Sequence, residues 1–497
     1  MPARESITCF PEIREPLLNT RSAQGKNTRV LPSPFDATDL GDLGPEESLP
    51  DLPDVSEVET VRHFTRLSRL NYGIDHGMYP LGSCTMKYNP KISEAIAGSF
   101  AAIHPADGNA MHEILEFCCL LEDCLKEICG MDACCLWPAA GAHGELTGML
   151  VIKKAIALSG RKKNTVLIPD TAHGTNPASC AIAGFGTKSI PSGEQGYLTA
   201  EILKEHLNED IAALMITNPN TLGIFEREIH DIAGLLHDNG AYLYMDGANL
   251  NALMGIARPG DMGVDCLHVN LHKTFGTPHG GGGPGSGPVM VRKELERFLP
   301  CPVITRDSRE KYTLTWDRAH SIGMVHSCLG NMGVLIKALT YILSLGAEGL
   351  RNAATSACLN ANYLKSRLSG YFDLPFSTPT LHEFVLSDLR QKDAGITTMD
   401  MAKTLMEFGF HPPTVYFPLV VSGAMMIEPT ETESLDELER FAHAMETIAQ
   451  MCLTRPEELH ESPGTCPVDR VDEVWAARNL ILTWGSFESN KGDMVSK

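Results

Sequence analysis

One lysine in this chain stands where a reactive amine would be expected. Residues 266–276 read CLHVNLHKTFG, and Thr-Pro-His and four glycines follow at 277–283. The apolar residues predict a short strand, and the glycines predict a flexible turn behind it rather than a helix. A lysine at the end of a buried strand can be held deprotonated and nucleophilic, as a bond to a pyridoxal aldehyde requires. Lys273 is therefore the first candidate catalytic residue, although a solvated lysine is the commoner interpretation of such a position alone.

The residues that would surround Lys273 also follow short apolar runs. From residue 165 onward these runs alternate with helical stretches, which is typical of a mostly parallel sheet between layers of helices. The strand candidates are TVLIPD, TKSIP, AALMITNP, AYLYMDGA, CLHVNLH and GPVMVR. Ligands of such sheets bind beyond the carboxyl ends of the strands. We therefore expect the polar residues at these ends to converge, namely 170–176, 218–221, 246–249 and 272–274.

A pyridoxal phosphate site needs an acid for the pyridine nitrogen, a group against the ring face and donors for the phosphate. Asp246 ends the run AYLYMD and supplies such a carboxylate, with a helix N-cap as the alternative interpretation. His173 either stacks on the ring or hydrogen-bonds within its own loop. Gly141 and Ala142 precede a helix and offer backbone N–H groups to a phosphate. Asn218 can bond the ring hydroxyl, although Asn-Pro is first of all a turn signal.

Composition excludes several classes of function. The chain has 497 residues, of which 43% are hydrophobic and 21% are charged, so it is long enough for two or three globular domains. A formal net charge of −21 argues against a nucleic-acid partner, because phosphate binding needs a basic surface. No run of about eighteen apolar residues and no apolar signal segment occurs, so we expect neither membrane insertion nor secretion.

Two patterns resemble binding motifs but lack essential residues. His268 and His272 are four residues apart, yet they lie on a predicted strand without the glutamate of HExxH, so we expect no zinc site. The glycine run lacks the GK[ST] ending of a nucleotide-binding loop. Fifteen cysteines are an odd number in a long chain without a signal segment. We interpret them as buried thiols in a reducing cytoplasm.

The pattern changes twice along the chain. Residues 1 to about 60 are rich in Pro, Asp and Glu with weak periodicity, so we expect an extended N-terminal arm over residues 1–80. Residues 81–335 form the predicted large cofactor-binding domain. Beyond it, two long helices, the segment HEFVLSDL between them and the strand candidates VYFPLVV and GAMMIEP predict a small α+β domain over residues 336–497.

Several segments resemble a known family. They are YPLGSCTMKYNP (79–90), DTAHGTNPAS (170–179), ITNPNTLGIFE (216–226), MDGANLNALMGIARPGDMGVD (245–265) and HVNLHKTFGTPHGGGGPGSGP (268–288). They are similar to the P-protein of the glycine cleavage system, glycine dehydrogenase (decarboxylating), and the likeness runs from about residue 60 to the tail motif DEVWAARN. The chain is about half as long as the single-chain form. It therefore resembles subunit 2 of the split bacterial enzyme, the half that carries the lysine.

The resemblance implies a fold type I structure, similar to aspartate aminotransferase, with pyridoxal 5′-phosphate on Lys273. It implies that Asp246 pairs with the pyridine nitrogen and that His173 stacks on the ring. The other residues that it places around the site are Gly141, Ala142, Asn249, His272 and Thr274.

The activity that the resemblance implies is decarboxylation of glycine and transfer of the aminomethyl group to the lipoyl arm of an H-protein. The implied assembly is a heterotetramer of two such chains and two copies of a subunit 1. Two alternatives stay open. The chain is another fold type I enzyme, such as an aminotransferase, an aldolase or a desulfurase, or it is a catalytically silent assembly subunit. An aminotransferase would hold its substrate carboxylate with an arginine, for which Arg351 and Arg367 are candidates, whereas the pair of Asp246 and Lys273 argues against a silent subunit.

Overall fold

The computed structural model describes residues 15–23, 52–104, 108–280, 285–306, 311–466, 468, 470–483 and 485–486. The chain divides into two compact units. One contains the described parts of Met1–Tyr72, Met406–Gly409 and Glu457–Lys497, and the other contains those of Gly73–Leu405 and Phe410–Pro456. All candidate site residues lie in the second unit. The domain boundaries expected at residues 80 and 335 stay a prediction.

A seven-stranded sheet carries the candidate site. Its strands are β1 (Ala133–Cys135), β2 (Thr165–Pro169), β3 (Gly186–Ile190), β4 (Ile211–Thr217), β5 (Tyr242–Gly247), β6 (Cys266–Val269) and β7 (Val289–Val291). The strand order is β1-β7-β6-β5-β4-β2-β3. β7 runs antiparallel to both of its neighbours, and the remaining neighbours are parallel. The predicted mostly parallel sheet is confirmed.

Helices connect these strands and continue beyond them. They are α1 (Glu57–Ser68), α2 (Lys91–Ser99), α3 (Gly108–Cys129), α4 (Gly141–Leu158), α5 (Thr175–Ile182), α6 (Ala200–His206), α7 (Ile229–Asp238), α8 (Leu271–Thr274), α9 (Met332–Leu368), α10 (Thr398–Glu407), α11 (Leu435–Thr454), α12 (Pro456–Glu461) and α13 (Glu473–Arg478). Parallel neighbours need crossover connections, and α5, α6 and α7 supply them between β2 and β5.

The apolar residues of the strands and of the helices beside them explain why the large sheet is buried. Every residue of β4 is buried, as expected for an apolar run that is covered on both faces. In α7, the buried residues include Ile229, Ile232 and Leu236, whose spacing places them on one face of the helix. The cysteine-rich helix α3 follows the same rule, since Cys118 and Leu125 are fully buried. The fourteen described cysteines are all free, as the interpretation as thiols predicted.

The other described strands form two smaller sheets. β8 (Val303–Arg306) and β9 (Tyr312–Thr315) form a hairpin, and β10 (Phe384–Ser387), β11 (Thr414–Val415) and β12 (Ala424–Ile427) form an antiparallel sheet in the order β10-β12-β11. The strand predicted for VYFPLVV was wrong beyond Val415, because the chain turns at Tyr416, whose φ of 56° is incompatible with a strand. Neither β1 nor the hairpin was predicted.

The predicted extended arm differs from the structure where it is described. Residues Glu57–Ser68 form α1, which begins with a capping box in which Ser56 and Glu59 bond each other's backbone N–H groups. Residues 1–14 and 24–51 of the acidic, proline-rich segment lie outside the described residues. Among the described helices, α9 alone is long and apolar enough to cross a membrane by composition, and half of its apolar window is buried inside the protein, as in a core helix.

Candidate active site

The predicted convergence of strand ends is confirmed. Beyond the end of β2, Asn176 donates a hydrogen bond from Nδ2 to Oδ2 of Asp246 at 2.9 Å. Asn249, which follows β5, donates from Nδ2 to the carbonyl of Pro219, which follows β4, at 3.0 Å. Lys273 is close enough for its charge to lower the pKa of Asp246. Residues from four separate segments therefore meet at one edge of the sheet.

Lys273 lies in the one-turn helix α8, and the prediction of a turn at this position was wrong. The carbonyl of Asn270 accepts hydrogen bonds from the backbone N–H groups of Lys273 and Thr274, both at 3.1 Å, which closes a helical turn before the glycines begin. The side chain is half-buried. Among the described residues, the carbonyl of Ser83 is the only hydrogen-bond acceptor of Nζ, at 2.9 Å. No carboxylate among the described residues hydrogen-bonds Nζ, so the amine is not held by an ion pair there.

A second lysine, Lys87, lies close by and is held as an ammonium. Its Nζ donates to Oε1 of Glu431 at 2.5 Å, Oδ1 of Asn251 at 2.7 Å, the carbonyl of Thr274 at 2.9 Å and the hydroxyl of Tyr341 at 3.2 Å. Burial lowers the pKa of Lys87, but Glu431 and Tyr341 outweigh burial and raise it. Lys87 is therefore a structural cation that anchors the end of α8, and it is not a competing nucleophile.

We expect Lys87→Met to lower the free energy of unfolding by about 3–5 kcal/mol, because Glu431 would stay buried without its counter-charge. The two side chains are 1% and 9% exposed. Denaturant titration measures the change. The matched control is Lys91→Met, which removes an ion pair to Asp75 between side chains that are 60% and 56% exposed. That change should cost at most about 1 kcal/mol. Equal losses in the two variants would contradict the assignment of Lys87 as a buried anchor.

Asp246 is a buried anion at the end of β5. Its Oδ2 accepts from Asn176, its Oδ1 accepts from the backbone N–H of Ala248 at 2.9 Å, and Nε2 of His268 lies 3.4 Å from Oδ1. Burial alone raises the pKa of Asp246, but His268, Asn176 and Lys273 together reverse the shift and lower it. The carboxylate is therefore ionised at neutral pH.

His268 connects Asp246 to the interior of the sheet. Its Nδ1 lies 2.8 Å from the hydroxyl of Tyr244, and its Nε2 faces Asp246, so both ring nitrogens have protein partners. In the register of β5 and β6, His268 is directly opposite Asp246. The pairing of His268 with Asp246 was not predicted from the sequence, where His268 was considered only together with His272. The relevant signal is the adjacency of the two strands, which becomes visible only once the sheet order is known.

The start of α4 has the form of an anion site. Gly141 is its first residue, and no side chain caps this end. A Cβ at Gly141 would overlap the side-chain amide of Asn270, and a Cβ at Gly287 would overlap the carbonyl of Ala140. These glycines allow three segments to approach closely. The backbone N–H groups of Gly141 and Ala142 thus have no side-chain partner in the part of the chain that the structure describes, and they can receive a phosphate.

Two neutral histidines, His272 and His279, contact each other in the segment before the glycines. The rings of His272 and His279 meet edge to face, with centroids 5.1 Å apart. Burial lowers the pKa of His272 to about 3 and the pKa of His279 to about 4. Thr274 is fully buried, and its hydroxyl has no hydrogen-bond partner among the described residues. Neither histidine therefore contributes a positive charge at neutral pH.

The remaining two candidates are already engaged in their own loops. His173 is exposed, its Nδ1 lies 2.9 Å from the hydroxyl of Thr175, and its ring meets Phe417 edge-on at 5.5 Å. Asn218 is fully buried, and its Oδ1 accepts from the backbone N–H of Glu226 at 3.1 Å. His173 and Asn218 thus make the contacts within their own loops that the alternative interpretations predicted. Stacking by His173 and a ring-hydroxyl bond from Asn218 stay predictions.

Three relatives that are 50–53% identical to this chain carry the same name. The probable glycine dehydrogenase (decarboxylating) subunit 2 of Caldanaerobacter subterraneus subsp. tengcongensis is 52% identical over 473 residues, which covers 93% of this chain and 97% of the relative. The protein of the same name from Chloroherpeton thalassium is 50% identical, with 95% and 98% covered. This chain belongs to the glycine dehydrogenase (decarboxylating) subunit 2 family. The same name is given to a Bacillus licheniformis relative that is 53% identical over 85% of this chain and 88% of its own length.

Domain-level and structural comparisons agree with this family. Residues 353–459 match the model of the glycine dehydrogenase C-terminal domain, and residues 146–314 match aminotransferase class-V. A crystal structure of glycine decarboxylase (P-protein) in inhibitor-bound form superposes with a TM-score of 0.67 at 22% identity, covering 82% of this chain and 92% of that chain. The Escherichia coli cysteine desulfurase CsdA superposes at 0.58 and 12% identity, covering 76% and 96%. At these identities the superpositions show the fold alone. The predicted fold type I architecture is confirmed, and members of the subunit 2 family are enzymes of glycine cleavage.

Proposed function

We propose that this chain is the cofactor-bearing subunit of a glycine cleavage P-protein. It decarboxylates glycine with pyridoxal 5′-phosphate and passes the aminomethyl group to the lipoyl arm of an H-protein. The observation that carries the proposal is the pair of Lys273 and Asp246, a lysine with a single neutral acceptor next to a buried, ionised carboxylate. Family membership narrows the substrate of such a site to glycine.

The residues present fit pyridoxal phosphate. The uncapped start of α4 and the close packing that Gly141 and Gly287 permit around it suit the phosphate, and Asp246 suits the pyridine nitrogen. When bound, the cofactor supplies an electron sink for the electron pair that remains after CO₂ leaves. Lys273 would hold the cofactor covalently through Nζ.

The chain's own residues control the charges at this site. Because the pKa of Asp246 is lowered, this carboxylate is a weak base and would leave a proton on the ring nitrogen of the cofactor. His268 and Asn176 maintain this state by interacting with its two oxygens. His272 and His279 stay neutral, so they do not compete for a substrate carboxylate as cations would.

Neither arginine candidate of the aminotransferase alternative lies beside Lys273. Arg367 is paired with Glu439 and Glu446 on α11, the latter at 2.9 Å. Arg351 lies on α9 against Gly255 and lines a surface cavity of about 810 Å³, for which no residue of the Lys273 site provides lining. Neither guanidinium is placed to receive a substrate carboxylate beside Lys273, so glycine decarboxylation remains the better-supported activity.

We further propose that the active form is a heterotetramer with two copies of a subunit 1, since the chain belongs to a family of second subunits. Expressed alone, the chain should bind pyridoxal phosphate but exchange the glycine carboxyl carbon with bicarbonate about a hundredfold more slowly than with subunit 1 added, because small misplacements of a site cost rates of that order. The assay contains lipoylated H-protein, with unlipoylated H-protein as the control. A full exchange rate from the isolated chain would rule out the split-enzyme assembly.

A further inference from the structure

One buried carboxylate near Asp246 has no role in the chemistry proposed above. Glu145 lies on α4, one turn after Gly141, and is 4% exposed. One of its oxygens, a carboxylate oxygen of Asp246 and a ring nitrogen of His268 all lie within 4.8 Å of one another. We do not interpret this group as a metal site, because protein donors already bond both oxygens of Glu145 and both oxygens of Asp246. The role of Glu145 therefore depends on its donors.

Two hydroxyl groups of α5 hold the carboxylate of Glu145. Oγ1 of Thr175 donates to Oε1 at 2.8 Å, and Oγ of Ser179 donates to Oε2 at 3.0 Å. The two donors are four residues apart, so they lie on the same face of α5. A hydroxyl has a single proton to donate, and that of Thr175 is directed to Glu145. Glu145 thus fixes the orientation of the Thr175 hydroxyl.

Thr175 is also the residue that holds His173. Nδ1 of His173 lies 2.9 Å from Oγ1 of Thr175 and 3.2 Å from its backbone nitrogen. The first of these contacts involves the same hydroxyl that bonds Glu145. A chain of contacts therefore leads from the buried carboxylate of Glu145, through one hydroxyl, to the exposed ring of His173.

The two hydroxyls that bond Glu145 differ in what they contact next. Ser179 is 5% exposed, and no hydrogen bond links it to His173 among the described residues. If Glu145 only fastened α4 to α5, the hydroxyls of Thr175 and Ser179 would be equivalent. If Glu145 also orients His173, the hydroxyl of Thr175 is the one on which the orientation depends.

We propose that Glu145 is a positioning residue, which acts through the hydroxyl of Thr175 to hold the ring of His173 in place for the cofactor. Glu145 lies on the helix whose first residues, Gly141 and Ala142, offer N–H groups to the phosphate. One carboxylate thus connects the phosphate end of the site to the residue expected at the face of the cofactor ring. The proposal rests on the proposed function, because it requires that pyridoxal phosphate binds beside His173.

The test uses the full chain from which the cofactor has been removed. Pyridoxal phosphate is added back, and its dissociation constant is measured by absorbance titration. Circular dichroism in the absorption band of the bound cofactor reports how the protein orients the ring. Thermal unfolding of each variant separates a loss of stability from a loss of orientation.

Thr175→Val should raise the dissociation constant of pyridoxal phosphate about tenfold, the scale of one hydrogen bond to a charged group. It should also change the circular dichroism of the bound cofactor. Thr175→Ser keeps the hydroxyl and should restore both values. Ser179→Ala is the matched control, because it removes the other hydroxyl from the same carboxylate. It should lower the thermal midpoint, leave the dissociation constant within about twofold of the wild-type value and leave the dichroism unchanged.

A double-mutant cycle tests whether Glu145 acts through His173. Glu145→Met removes both acceptors at similar side-chain length and should raise the dissociation constant about tenfold. In a His173→Ala background the same change should have no further effect on either cofactor measurement, because the chain of contacts ends at His173. The comparison of Thr175→Val with Ser179→Ala needs no change at Glu145, so it decides the question even if Glu145→Met does not fold.

Two results would overturn the proposal. One is an equal effect of Thr175→Val and Ser179→Ala on cofactor binding and dichroism, and the other is an undiminished effect of Glu145→Met when His173 is absent. Failure of the wild type to bind pyridoxal phosphate at Lys273 would instead overturn the proposed function, so the two kinds of failure are distinguishable.

Discussion

Lys273→Ala should lose covalent retention of pyridoxal phosphate. Its glycine exchange rate should fall by at least about 10³-fold, a loss typical of removing a residue that bonds covalently during catalysis. No other described lysine can take over. Lys87 is the neighbouring candidate, and its Nζ is held by four acceptors that include the carboxylate of Glu431. Lys273 has the carbonyl of Ser83 instead, which stabilises an ammonium far less than a carboxylate does.

Borohydride reduction of the wild type, followed by digestion and mass spectrometry, should place the pyridoxyl group on Lys273 alone. The variant should carry none. Lys91→Ala is the control, because Lys91 is exposed and should leave both labelling and exchange unchanged. A pyridoxyl group on Lys87 in the wild type would refute the assignment of the site and the ionised state inferred for Lys87.

Asp246→Asn should keep the cofactor but lose about 10²–10³-fold in glycine exchange, a loss typical of removing one preorganised electrostatic partner. The amide has nearly the same shape, so the site stays filled. It carries no negative charge, so a proton on the pyridine nitrogen loses its counter-ion and the electron sink weakens. Absorbance of the bound cofactor reports retention, and exchange kinetics report the loss.

Asp265→Asn is a matched control for this change. Asp265 is also buried and also faces a histidine, His237 at 2.9 Å, while its Oδ2 accepts from the backbone N–H of Leu243. It lies at the opposite end of β5 from Asp246, so its loss should lower thermal stability and leave the cofactor spectrum unchanged. Full exchange activity in Asp246→Asn would mean that another acid serves the pyridine nitrogen.

The apolar runs by themselves determined most of the large sheet and the place of the site. Strands such as β4 and β5 are buried on both faces, so their sequences are nearly continuous in apolar residues and contrast with the helices between them. Parallel strands end at a common edge, which is why the residues around Asp246 and Lys273 could be expected to meet. Both inferences depend only on local composition and on a general property of such sheets.

Short elements escaped the same reasoning. β1 and the helix α8 are three and four residues long, so neither contains a full period of any hydrophobic pattern. α8 forms because the carbonyl of Asn270 accepts from two successive N–H groups, and β1 forms because it pairs with β7 from more than 150 residues away. Contacts of this kind depend on neighbours that a sequence window does not contain.

The protonation states of the site were decided by the tertiary structure alone. Lys87 and Lys273 are the same residue type, yet one is fixed as an ammonium by acceptors from distant segments and the other meets a single carbonyl. Asp246 owes its lowered pKa to His268, which lies opposite it in the neighbouring strand. Sequence supplies the ionisable groups, but their charge depends on desolvation and on partners that only folding brings within reach.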